Sequence, residues 1–68
     1  MTVKSQVKQT IAGLKSAQAS LEQFSLQTQN QQAKQMYQTA AQQTQMIVDS
    51  LNPRLQELDA EEPQYQQE

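Results

Sequence analysis

Residues 27–32 read Gln27-Thr28-Gln29-Asn30-Gln31-Gln32. This polar run decides the fold, because it separates two apolar stripes of helical period. Thr28 with Gln31 three residues later has the form of a capping box, in which hydroxyl and amide satisfy the first backbone donors of a new helix. Asn30 has another reading, as a left-handed residue that closes the preceding helix. Either way a short turn falls at residues 28–31 and the chain folds back on itself. The run holds no Gly or Pro, so one long unbroken helix is the competing reading.

Upstream of the turn, Val3, Val7, Ile11, Leu14, Ala17, Leu21 and Phe24 recur at steps of three or four, forming one face of a helix over residues 3–28. Thr2 is placed to cap it. Gly13 interrupts the pattern at a cost of about 1 kcal/mol relative to Ala. It is read either as a point of close helix approach or as a tolerated residue. Downstream, Ala33, Tyr37, Ala40, Thr44, Ile47, Leu51, Leu55 and Leu58 form a second stripe, with Met36 and Val48 at its edges. This predicts a helix over residues 31–61. Pro53 removes a backbone donor, yet the stripe continues through it in phase. The segment therefore either kinks or restarts with Asn52 as cap and Pro53 in the first position. Pro63 ends it, leaving residues 62–68 as a polar acidic tail.

The expected fold class is all-α: an antiparallel helical hairpin domain over residues 1–61, about 40 Å long at 1.5 Å per residue. Seventeen of the 68 residues are Gln, and only 17 are large and apolar. A chain this small with no Cys for a disulfide and no His for a zinc set usually recruits a partner chain. Two hairpins close a four-helix bundle. The packing stripe would be Val7, Ile11, Leu14, Leu21, Phe24, Tyr37, Ala40, Ile47, Leu51, Leu55 and Leu58. Leu26 and Met46 lie off the stripes. They are either scattered surface residues or a second contact from which a larger helical oligomer would grow.

Charge is unevenly spread. Lys4, Lys8, Lys15, Lys34 and Arg54 oppose only Glu22 and Asp49 in residues 1–56, whereas Glu57, Asp59, Glu61, Glu62 and Glu68 crowd the last twelve. The acidic end argues against nucleic acid as a partner. No apolar run reaches the length of a transmembrane helix, and the N-terminus has no hydrophobic signal core. The chain is expected to be intracellular. Lys4, Lys8 and Lys15 share a helix face beside Ile11. That face is either a docking strip for anionic lipid or an acidic partner, or a solvated shoulder whose stems cover apolar neighbours. It is also a place where the acidic end of another chain would dock.

No catalytic constellation is legible. Glu22 and Asp49 stand apart, the serines have no imidazole base, and no glycine loop could cradle a phosphate. The expectation is a protein without enzymatic activity, cofactor, metal or small-molecule substrate. The outward glutamines read as a neutral helix surface, as a means of lateral amide bonding, or as acceptors for Gln–Lys crosslinking into a coat. Tyr65 reads as an exposed residue or as part of a short recognition tail.

Blocks of residues along the chain carry a resemblance. They are residues 1–10 (Met-Thr-Val-Lys-Ser-Gln-Val-Lys-Gln-Thr), 17–24 (Ala-Gln-Ala-Ser-Leu-Glu-Gln-Phe) and 32–37 (Gln-Ala-Lys-Gln-Met-Tyr). Residues 47–51 (Ile-Val-Asp-Ser-Leu), 53–55 (Pro-Arg-Leu) and 61–65 (Glu-Glu-Pro-Gln-Tyr) continue in the same order. The sequence resembles the domain of unknown function 1657 family, small proteins of spore-forming Firmicutes of the Bacillus type. The resemblance carries no catalytic residues. It implies a spore or forespore setting, because such proteins are encoded near sporulation genes, including those for the stage V A membrane proteins that move dipicolinic acid. It also implies kinship with a domain fused to a membrane protein linked with spore heat resistance and germination. The expected function is a non-enzymatic helical interaction protein of sporulating cells, self-associating and accessory to a spore membrane complex. Its rivals are a self-polymerising filament or coat element, a membrane-peripheral regulator using the lysine face, and a Gln-rich storage protein. The apolar stripes argue against the last, since an unfolded store needs no periodic face.

Overall fold

The computed structural model describes residues 2–61. Helix α1 spans Val3–Gln27 and helix α2 spans Gln31–Glu61. They pack against each other as an antiparallel hairpin whose backbone measures 52 × 18 × 11 Å. Among the described residues there is no strand. The expected all-α hairpin is the observed fold. The expected tail at residues 62–68, with Pro63 and Tyr65, lies outside the described residues.

The helix ends follow from side-chain chemistry. Thr2 caps α1: its backbone is extended (φ −82°, ψ 164°) and its hydroxyl oxygen accepts from the Ser5 N–H at 3.1 Å. The connection is set by Thr28 and Asn30 acting in turn. Thr28 leaves the helix in an extended conformation (φ −74°, ψ 142°) while its N–H still donates to the Phe24 carbonyl at 3.0 Å. Its hydroxyl oxygen accepts from the Asn30 N–H at 3.2 Å. Asn30 then caps α2. Its Oδ1 accepts from the Ala33 N–H at 2.8 Å and its carbonyl from the Lys34 N–H at 2.9 Å. This corrects both sequence readings of the turn. The cap of α2 is Asn30 rather than a Thr28–Gln31 box, and Asn30 opens the second helix instead of closing the first. Asn30→Ala is expected to cost about 1 kcal/mol, lowering the thermal midpoint by about 4–8 °C for a domain of this size. Melting followed by circular dichroism checks it.

Pro53 lies inside α2, which runs through it unbroken. The helix does not restart at Asn52. Pro53 offers no N–H to the Asp49 carbonyl one turn earlier. Both residues are exposed, so water can take the open acceptor.

The positions that turn inward repeat at alternating steps of three and four. In α1 they are Lys4, Val7, Ile11, Leu14, Gln18, Leu21 and Ser25; in α2, Lys34, Tyr37, Ala41, Thr44, Val48, Leu51, Leu55 and Leu58. This seven-residue repeat is that of a coiled-coil seam. Opposite levels are marked by the Lys4–Asp59 ion pair at one end and the Phe24–Tyr37 ring contact at the other. Residues 13 and 14 of α1 therefore lie level with residues 49 and 48 of α2.

The seam departs from the expected stripes at two pairs of neighbours. Phe24 and Ile47 stand outside it, 46% and 48% exposed, and the inward places go to Ser25 and Val48, 4% and 1% exposed. Val3 and Ala17 are likewise exposed. Ala40 is half-buried at the seam's edge and Ala41 is buried. The reason is the period. A stripe traced on apolar residues alone drifts onto Phe24 and Ile47, whereas two helices in continuous contact hold a 3.5-residue repeat even where it falls on a polar residue. Ser25 is tolerated because its hydroxyl donates to its own helix, at the Glu22 carbonyl, 2.6 Å away.

Candidate interaction faces

A two-helix hairpin has two broad sides, and the residues next to the seam decide their character. Lys8, Lys15 and Glu22 each follow a seam residue of α1; Gln38, Gln45, Asn52 and Asp59 each follow one of α2. In an antiparallel pair these two sets share a side. Three observations agree. Glu22, Gln38 and Gln45 line one open groove of about 530 Å³, floored by Gln18, Ser25 and Ala41. Lys4 Nζ reaches Asp59 Oδ1 at 2.7 Å. Lys8 adds its field at the same carboxylate.

Asp59 is held below its ordinary value of 3.8 chiefly by the hydrogen bond from Lys4, which outweighs an opposing effect of desolvation, with the charges of Lys4 and Lys8 adding less. The stabilisation from this pair is therefore complete above that ordinary value. It is lost as pH falls through the lowered one. Asp59 is more than half exposed, so the contribution is small. The pair closes the open end of the hairpin within one chain. The acidic segment thus meets the lysine strip internally at Lys4, where the sequence reading placed it against another molecule.

The opposite side holds the residues that precede seam positions: Val3, Thr10, Ala17 and Phe24 from α1, and Ala33, Ala40, Ile47 and Arg54 from α2. Met36 and Gly13 lie next to this row. Of the six large apolar residues left exposed among those described, Val3, Phe24, Met36 and Ile47 fall on this side. Phe24 meets Tyr37 edge-to-face with centroids 5.6 Å apart, which fixes its ring at the loop end of the face. Gly13 has no atom within 4 Å of where a Cβ would stand. It makes no close approach to α2 and opens a gap in the face at mid-length. Arg54 is the charged residue in this row. Its guanidinium donates to Glu57 at 3.0 Å on the same helix.

The remaining predicted residues are dispersed. Leu26 rims the polar groove, while Met46 lies on the outer back of α2. They do not share one surface. Lys8 and Lys15 are exposed on the polar side, next to the seam residues Val7 and Leu14, and away from the exposed apolar residues of the other side. Gln18 donates to Glu22 at 3.3 Å and Gln45 to Asp49 at 2.9 Å. Each isolated carboxylate is thus tied to a glutamine amide one turn away. Among the described residues no cluster of three His, Cys, Asp or Glu is placed to hold a metal ion, and no helix is long and apolar enough to cross a membrane.

The polar-side groove and the apolar side were both hard to read from the sequence. Their signal is the identity of residues beside the seam, which is readable only once the 3.5-residue register is known. Among known families, the one described as "Protein of unknown function (DUF1657)" matches residues 7–55, covering most of both helices and the turn. No curated protein and no solved structure matches the chain.

Proposed function

Because the chain belongs to the DUF1657 family, whose description assigns no activity, we propose its function from its geometry: a non-enzymatic helical interaction protein that self-associates. The observation that carries this is the one-sided exposure of Val3, Phe24, Met36 and Ile47 over a core in which only Ile11, Ala41, Val48 and Leu58 are buried apolar residues among those described. A layer of two helices needs a second layer to complete a core, and a four-helix bundle supplies it. The role belongs to sporulating cells, inside the forespore or spore, as an accessory to a spore membrane complex. That setting rests on what the sequence resemblance implies. No cofactor, nucleic acid or small substrate enters this role.

A membrane-peripheral role for the lysine face is less well supported. A surface-seeking helix sets its cations at the borders of its apolar face, and here Lys8 and Lys15 stand on the opposite side. Filament growth is favoured by one feature, the exposure of Leu26 and Met46 away from the apolar side.

Urea denaturation at a series of protein concentrations tests the proposal. Association that completes the core raises the midpoint with concentration. A midpoint independent of concentration would overturn self-association.

A further inference from the structure

The self-association reading leaves open which side of the hairpin is covered and in what orientation. We infer that the apolar side is an isologous interface for a second copy of this chain, with the two hairpins stacked face to face and their loops at opposite ends. Four features lead there.

The first is size. A face 52 Å long and 18 Å wide is close to one partner's share of an ordinary protein interface, about 800 Å². The second is charge. The middle of this side carries Thr10, Gly13, Ala17, Ala40 and Ile47, with nothing to repel a like surface. The lysines that would draw the hairpin to an anionic surface stand on the other side.

The third is symmetry. Val3, Thr10, Ala17 and Phe24 are spaced by seven and lie evenly about a midpoint between Gly13 and Leu14. A two-fold axis crossing the hairpin at that level sets Val3 against Phe24 of the second copy and Thr10 against its Ala17. Large groups at the ends meet their counterparts while small ones in the middle let the α1 helices approach. The fourth is the partner helix. The same level in α2 is residues 48 and 49, so the axis that passes beside Gly13 on α1 passes within two residues of Ile47 on α2. Ile47 then meets Ile47 of the second copy, and the space left open at Gly13 is covered. Stacking the hairpins with loops together would instead set α1 on α2 of the second copy and crowd Phe24 and Met36 of both copies at one end.

The interface rests on the proposed self-association, and cysteine crosslinking separates the two claims. The chain has no native cysteine, so single cysteines report position without background. Gly13→Cys adds a side chain where nothing stands within 4 Å, and circular dichroism verifies that the variant remains helical. Near the axis, two such residues come within the 7 Å Cα separation that a disulfide requires. The expected result is that Gly13→Cys oxidises to a covalent dimer at least about tenfold faster than Lys15→Cys, which occupies the same level on the polar side. Ile47→Asp, without the cysteine, should weaken association at least about tenfold while preserving helicity. Faster crosslinking through Lys15→Cys would place the contact on the polar side and overturn the inference. An oligomer that crosslinks through neither position would overturn the orientation. A wild-type chain monomeric by light scattering would instead remove self-association itself.

Discussion

Val48→Asp is expected to abolish the helical circular dichroism of the chain at room temperature, while Ile47→Asp leaves it intact. The two substitutions are chemically alike and adjacent, so their difference isolates the seam. Val48 is the most enclosed side chain among the described residues, and Ile47 is half exposed on the apolar side. A carboxylate at position 48 would have to enter the contact between helices opposite Leu14, while Lys15, the cation at this level, stands exposed on the polar side. Burying an unpaired charge costs several kcal/mol. Small domains hold only about 5–15 kcal/mol of stability in all, and this one buries few apolar residues. At position 47 the carboxylate meets water in the single hairpin, and the helix tolerates it. Equal loss of helicity in both variants would mean that the seam follows the 3.6-residue stripe through Ile47.

The second large effect is a gain. Pro53→Ala should raise the thermal midpoint. Pro is about 3 kcal/mol less favourable than Ala in a helix interior, and here it sits mid-helix, exposed, with its missing N–H leaving the Asp49 carbonyl open. Restoring that bond is expected to stabilise the hairpin by about 1–3 kcal/mol. At about 4–8 °C per kcal/mol for a domain of this size, the rise is large enough to read in a single melt. A lowered midpoint would mean that the local geometry at Pro53 is what directs Leu55 and Leu58 onto α1, and that straightening the helix there peels them away.

The two predictions mark what could and could not be read in advance. Helix existence, the Thr2 cap and the turn were legible, because each depends on local chemistry: a period, a hydroxyl at the right place, a polar run. Asn30 was visible as a turn residue, but its role was not. An asparagine can close one helix or open the next, and which it does depends on the backbone that Thr28 hands it. The register was harder. Ser25 and Gln18 take inward positions that no apolar count would assign them. Phe24 and Ile47 look like core residues because each sits one place from it. Only the joint fit of two helices decides between neighbours, and a single helix does not contain that information. The Lys4–Asp59 pair was hidden for the same reason. It joins residues 55 positions apart, through a turn whose geometry must be known first. The division into one polar and one apolar side follows from the register and became legible only with it.

Light scattering coupled to size-exclusion chromatography, on the untagged chain across a concentration series, tests self-association most directly. The expected result is a fixed mass of twice the 7.7 kDa chain, the four-helix bundle made by two hairpins closed over their apolar sides. A mass of one chain at every concentration would contradict it, and would leave Val3, Phe24, Met36 and Ile47 as the face awaiting a different protein.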